Sequence, residues 1–272
     1  MAMLINQEKE AVRAFWNQAS CGEAVFLDQE TMEGYQTQLQ KRYAVEPFIL
    51  PFANFDGSPG KEILEIGVGL GADHQMWAQG GAVLTGVDLT DRAISHVQTR
   101  LSLLGLHSNL QVADAENLPF SDETFDTVYS WGVLHHSPNT GRAIQEVYRV
   151  LKPGGAAKIM IYHTWSVVGF MLWVRYALLR LRPWITLSEI YDRYLESPGT
   201  KAYTRGEAMA LFSQFKTVNI TIELSGGDLM SSHVGQRHQG VFLTLAKRFF
   251  PRGLIQKWMP GLGLFMLITA QK

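Results

Sequence analysis

A chain of 272 residues, 46% hydrophobic and 18% charged, has a globular composition and can bury a full core as one domain or as a domain with additions. Its formal net charge of −1 offers no global attraction for nucleic acid, so a DNA or RNA partner is not expected. The single cysteine, Cys21, excludes disulfides within the chain and any cysteine-based metal site, which suits a reducing compartment.

The first ten residues lack a basic stretch followed by an apolar one, so no secretory signal is expected and the expected location is cytoplasmic. Residues 7–21 suit an amphipathic helix, with Val12, Phe15, Trp16 and Ala19 at i, i+3, i+4 and i+7. Residues 29–50 predict a second helix ending near Pro47 or Pro51, and residues 56–60 read as a turn-rich linker. The apolar pair Ile63-Leu64 then runs into Glu65-Ile66-Gly67-Val68-Gly69-Leu70-Gly71, and Asp88 closes the next apolar run about 20 residues on. Such a strand delivers the chain to the carboxyl edge of a parallel sheet, where open α/β folds bind ligands. Glycines let the backbone turn and approach a ligand closely, and an acidic side chain after the second strand can accept both hydroxyls of a ribose.

Leu110–Ala113 predicts a third strand, ending at Asp114-Ala115-Glu116. Thr127–Ser130 predicts a fourth by its β-branched and aromatic content, followed by Trp131 to His136. Residues 140–150 are amphipathic and lead through Leu151-Lys152-Pro153-Gly154-Gly155 into a fifth strand, Ala156–Tyr162. Two cofactors compete for this frame. Gly67, Gly69 and Ala72 satisfy the dinucleotide fingerprint, which would make an NAD-dependent oxidoreductase. Against that, Glu65 stands two residues before the first glycine, and Gly71 adds a third glycine in alternation.

The Glu-x-Gly-x-Gly-x-Gly segment, together with the four later motifs, resembles the class I S-adenosylmethionine (SAM)-dependent methyltransferases over roughly residues 60–163. The Leu-Lys-Pro-Gly-Gly turn is especially characteristic, and an NAD reading leaves it without explanation. The resemblance implies SAM as cofactor and S-adenosylhomocysteine as product. It implies an α/β, Rossmann-like sheet of seven strands with the last antiparallel, and helices on both faces. It places Glu65, Gly67 and Gly69 at the methionine end of SAM, Asp88 at the ribose, and Leu89, Asp114 and Ala115 around the adenine. Ser130, Trp131 and His135 would border cofactor and acceptor.

The flanks are expected to carry specificity, as a helical cap (1–57) before the core (58–163), a helical lid or insertion (164–205), and a segment (206–272) that completes the sheet. Phe15-Trp16-Asn17 is similar to the aromatic segment that closes over SAM in many methyltransferases; a docking role on the sheet is equally open. The lid begins with an apolar run that Arg175, Arg180 and Arg182 interrupt, so it falls short of the ~20 residues needed to span a bilayer. Its aromatic residues suit a roof over an apolar or aromatic acceptor; ordinary core packing and a membrane-surface role remain alternatives. Trp16, Trp165, Trp173 and Tyr203 are the expected acceptor contacts. Residues 205–215 predict a helix, 217–224 a sixth strand and 263–270 the last. Residues 225–240 would rim the acceptor pocket, and 246–252 would end a solvated helix or touch a membrane.

Methyl transfer from a sulfonium is an in-line displacement that needs alignment and water exclusion, and a base only where the acceptor arrives protonated. Histidines are natural bases near neutrality. His163 is the first candidate, with His136 and Tyr162 beside it, and no metal-ligand pattern is evident. The expected activity is methylation of a small apolar or aromatic acceptor, generically on O or N. C-methylation of an isoprenoid, quinone or lipid is the alternative. A SAM-binding protein without catalysis and an NAD-dependent oxidoreductase are the rivals from other classes.

Overall fold

The structure is a computed structural model, which describes residues 2–231 and 250–272. Five strands, β1 (Glu62–Ile66), β2 (Val83–Asp88), β3 (Asn109–Val112), β4 (Phe125–Trp131) and β5 (Leu151–Tyr162), run parallel. With β6 (Thr217–Glu223) and β7 (Phe265–Gln271) they form one sheet in the order β3-β2-β1-β4-β5-β7-β6. The last strand inserts between β5 and β6, antiparallel to both. This is the expected Rossmann-like α/β sheet. Order reverses between β1 and β4, the kind of switch point where such sheets bind ligands.

The central strands are apolar nearly throughout, as a sheet covered on both faces requires: Ile63, Leu64, Ile66 and Val128 are all buried. Helix α7 (Thr140–Val150), found where its amphipathic pattern places it, buries Ala143, Ile144, Val147 and Val150 against one face. Full burial of each aliphatic side chain stabilises by roughly 1.5–3 kcal/mol. The helix starts at Asn139, whose side chain accepts from Arg142 N at 3.0 Å. Pairing of β5 with β4 begins earlier than expected, at Leu151, and breaks register between Phe125 and Thr127. The Lys-Pro-Gly-Gly turn is thus an irregularity inside the strand.

The N-terminal flank forms helices α1 (Ala2–Gln18), α2 (Glu23–Phe26), α3 (Met32–Val45) and α4 (Ile49–Ala53). The single helix expected over 29–50 is therefore two, because the residue before Pro47 leaves the helical region: Glu46 adopts φ −127° and ψ 60°. Helices α5 (Ala72–Gln79) and α6 (Asp91–Leu104) follow β1 and β2. After β5, the lid consists of α8 (Val167–Tyr176), a 3₁₀ turn (Leu178–Arg180), α9 (Leu187–Ile190) and a π-helical turn (Tyr191–Leu195). Ser166 caps α8 by accepting from Gly169 N at 2.9 Å. Helix α10 (Arg205–Leu211) precedes β6, and α11 (Arg252–Trp258) precedes β7. No helix among the described residues is long and apolar enough to cross a membrane. Part of the expected pocket rim, 232–240, and residues 246–249 lie outside the described residues.

Candidate active site

All five parallel strands end at one edge, and above it lies a cavity of about 1160 Å³. It follows the sheet from Asp114 after β3, past Asp88 after β2 and the glycine loop after β1, to Trp131, Tyr162 and Phe265 at β4, β5 and β7. Helices from both flanks wall it, among them α1 through Trp16 and α8 through Leu172. Glu65, Gly67, Gly69, Leu89, Ala115 and His136 also line it.

The glycine loop is shaped by what a side chain would do there. Gly67 has φ 84°, and a Cβ on it would come within 2.0 Å of Val133 Cγ2. At Gly69, φ 49°, a Cβ would meet nothing within 4 Å, so the backbone faces open space. Asp88 is fixed at the edge of that space. Its Oδ1 accepts from Thr90 N (2.9 Å) and Thr90 Oγ1 (2.8 Å), and its Oδ2 from Gly69 N (3.3 Å). Burial pushes its carboxyl up against these donors. Asp114 is latched from the opposite flank: Lys9 of α1 places Nζ 2.6 Å from Asp114 Oδ2 and 2.6 Å from Glu116 Oε2. Glu116 N donates to Asp114 Oδ1 at 2.9 Å.

Beneath the loop, Glu65 Oε2 lies 2.9 Å from His74 Nδ1. Burial pushes His74 down to about 3, so its imidazole is neutral. Burial and the nearby charge of Asp73 push Glu65 well above the usual carboxylate range. The pair is therefore a hydrogen bond between groups that resist charging. Asp73 itself stays ionised, since Arg42 (2.7 Å), Tyr43 (2.9 Å) and Tyr129 (2.8 Å) all donate to it. This network ties α3 to α5 and β4.

At the other end the wall is aromatic and acidic. Tyr162 stacks on Phe265, rings 6.0 Å apart, and donates its hydroxyl to Glu196 Oε2 at 2.7 Å. His136 Nε2 lies 3.4 Å from the same oxygen, and Ser197 Oγ lies 2.9 Å from its Nδ1. Trp16 meets His136 edge to face at 5.3 Å. Glu46 also lines the cavity, with Oε2 buried and without a hydrogen-bond partner, 3.5 Å from Arg42. Burial pushes its carboxyl up from 4.5 to about 7, although Arg42 pulls the other way.

Several expected site residues lie elsewhere. Alternation along β5 that turns Tyr162 into the cavity turns His163 away, and His163 Nδ1 sits 3.2 Å from Gly263 O. His163 therefore does not face the site as expected. Ser130 donates to Ile66 O at 2.9 Å and pins β4 to β1. His135 is fully buried behind the wall, its ring 3.9 Å from that of Tyr162 and both nitrogens without partners; burial holds it neutral. Trp165 stacks with Phe170, half exposed, and Trp173 donates to Ile185 O at 2.8 Å. Tyr203 bonds through its backbone to Tyr162 and Thr164. These three lid or hinge aromatics support the roof without lining the cavity. The fold also gathers His135, His136 and Glu196 with ligand atoms within 4.8 Å, a trio that sequence spacing could not reveal. Glu46, Glu196 and Lys9 are among the cavity residues that sequence reasoning missed.

The open backbone at Gly69 and the anchored Asp88 fit the methionine and ribose of SAM. Residues 64–159 match the family model described as a methyltransferase domain. The chain carries a class I SAM-dependent methyltransferase domain, and SAM is the cofactor of that domain. Phthiotriol/phenolphthiotriol dimycocerosates methyltransferase 1 of Mycobacterium ulcerans is 43% identical over 98 residues, 35% of this chain and 35% of that protein. An uncharacterized protein of Mycobacterium bovis is 34% identical over 112 residues, 41% of this chain and 40% of its own length. The chain thus spans about two fifths or less of these relatives. Among solved structures, geranyl diphosphate C-methyltransferase from Streptomyces coelicolor shares the fold with a TM-score of 0.63 and 16% identity, covering 97% of each chain.

Proposed function

We propose that the chain is a SAM-dependent methyltransferase for a small, largely apolar acceptor. Supporting the reading is one continuous cavity that joins the glycine loop, Asp88 and Asp114 to a chamber walled by Trp16, Trp131, Tyr162 and Phe265. Glu65, Gly67 and Gly69 would hold the methionine end, Asp88 the ribose, and Leu89 with Ala115 the adenine. Asp114 would serve the adenine only as far as Lys9 leaves it an acceptor lone pair. When bound, SAM supplies the activated methyl group on its sulfonium. The chain's own residues align the acceptor, exclude water, and take its proton where it is a hydroxyl.

For that proton we propose Glu46, whose carboxyl is poised near neutrality at the cavity wall, its Oε2 3.5 Å from Arg42. Tyr162, hydrogen-bonded to Glu196, and His136, whose Nε2 lies 3.4 Å from the same carboxylate, would orient the acceptor's polar group. Burial keeps the Tyr162 phenol protonated, and because its proton is given to Glu196 its oxygen meets that group as a hydrogen-bond acceptor. The cap (1–57) and lid (164–205) supply the acceptor chamber in this reading.

C-methylation of an isoprenoid or lipid alkene is a second reading, favoured by the aromatic wall: methyl addition to the double bond leaves a carbocation that the ring faces can stabilise and that then loses a proton to a base, for which Glu46 would again serve. The named relative acts on a lipid, and the geranyl diphosphate enzyme on an isoprenoid. Calorimetric titration with SAM and S-adenosylhomocysteine, with NAD as control, tests the cofactor. Labelled-methyl transfer to hydroxyl and alkene acceptors then tests the chemistry. A folded protein that binds neither nucleoside overturns the proposal; one that binds SAM and transfers to no acceptor favours a binding role.

A further inference from the structure

Helix α8 is apolar on both of its faces. Leu172 is buried and lines the cavity with Val168 and Met171, while Phe170 and Val174 on other faces are exposed. A helix apolar all round belongs inside a core or in lipid. At ten residues it is too short to span a bilayer. The chain beyond it continues the surface: Leu179 is 74% exposed, Leu181 83% and Trp184 73%. Scattered exposed leucines need no explanation, but a contiguous patch does.

Leu181 sharpens the point. It takes φ 57°, the left-handed region that is unfavourable for a leucine, to end the 3₁₀ turn, yet its side chain gains little packing. Charge completes the pattern. Residues 164–188 hold Arg175, Arg180 and Arg182 and no aspartate or glutamate, in a chain of net charge −1. All three arginines are exposed. The Arg175 and Arg180 guanidiniums lie over Tyr176, 5.1 and 5.3 Å from its ring centre. An apolar tip beside cations is the arrangement that sits in the interface of an anionic bilayer.

Arg175 and Leu179 also line the cavity, so the exposed tip and the cavity mouth share residues. We infer that this tip docks on anionic membrane, with Leu181 and Trp184 in the headgroup–acyl boundary, and that the acceptor is a membrane-resident amphiphile drawn past Leu179 into the cavity. The docking stands on the surface alone; the delivery of an acceptor rests on the methyltransferase reading.

The test is cosedimentation of the full chain with vesicles of phosphatidylcholine alone and of phosphatidylcholine mixed with phosphatidylglycerol. Three arginines, each strengthening attachment about fivefold, should favour the anionic vesicles on the order of 10²-fold, and added salt should reverse this. Arg180→Glu with Arg182→Glu should abolish the preference. Leu181→Asp with Trp184→Asp should release the protein from both vesicles, while SAM affinity and circular dichroism stay unchanged in each variant. Equal partition onto both vesicles, or none by a protein that binds SAM, overturns the docking. So does a dimer in sedimentation velocity that Leu181→Asp with Trp184→Asp dissolves, because a second copy would then cover the patch. Anionic partition by a protein that binds no SAM upholds docking and sinks acceptor delivery.

Discussion

Glu46→Gln should make the protein more stable at alkaline pH while impairing its proposed chemistry. The Glu46 carboxyl is raised from 4.5 to about 7, chiefly by burial. Between those values the folded state holds a proton that the unfolded state has lost, so stability falls as pH rises through this window and is level above it. The gap of about 2.5 pH units, at about 1.4 kcal/mol each, amounts to at most roughly 3–4 kcal/mol. Glutamine cannot ionise and removes that penalty. Its amide forfeits the attraction of Arg42 at 3.5 Å, but Arg42 keeps its pair with Asp73 at 2.7 Å. Urea unfolding at about pH 5 and about pH 8 reads the difference. The variant should match the parent within about 1 kcal/mol at the lower pH and exceed it by up to about 3 at the higher one. A stability difference that is the same at both pH values refutes the assignment of a raised carboxyl to Glu46. With a hydroxyl acceptor, turnover should fall by about 10²–10⁴-fold and lose its rise through pH of about 7, the yield expected of a general base.

The remaining predictions concern the cofactor end and the histidines. Asp88→Ala removes the acceptor held by Thr90 and Gly69, and SAM affinity should weaken by about 1.5–3 kcal/mol in calorimetry; unaltered affinity sinks the ribose assignment. SAM binding should release protons, because a cation arriving beside Glu65 favours its ionised form, and affinity should therefore rise with pH above the ordinary carboxylate range. Binding enthalpies measured in buffers of different ionisation heat check this, and identical enthalpies refute it. His136→Ala should reduce turnover more than His163→Ala, since only His136 lines the cavity; the reverse order in labelled-methyl assays would show that the acceptor approaches from another side.

The cofactor half was legible because its residues are consecutive. Glu65 to Gly71, Asp88 and Asp114-Ala115 each stand at or just beyond the end of a strand, and the parallel sheet must bring successive strand ends together. Local pattern and global topology agree there. Even so, spacing could not say that Lys9, over a hundred residues away, would take up one oxygen of Asp114. His163 shows the limit at finer grain: a strand end was recognisable, but facing depends on register, and one step along β5 exchanges cavity for Gly263 O.

The acceptor half was legible only in part, at Trp16, Trp131, His136 and Tyr162, for a related physical reason. Its polar groups come one at a time from separate flanks: Glu46 from the end of α3, His136 after β4, Tyr162 from β5, and Glu196 from the end of the π-helical turn. None carries a motif, and Glu46 reads in sequence as an ordinary charge before a proline. What distinguishes it is created by folding: burial at the cavity wall removes water, and the loss of solvation raises the carboxyl. The roof also leaves α8 with an outer face partly exposed at Phe170 and Val174. A surface that would be unfavourable in water and a chamber suited to an apolar acceptor are therefore two sides of one helix, which is why the vesicle experiment bears on substrate class as much as on location.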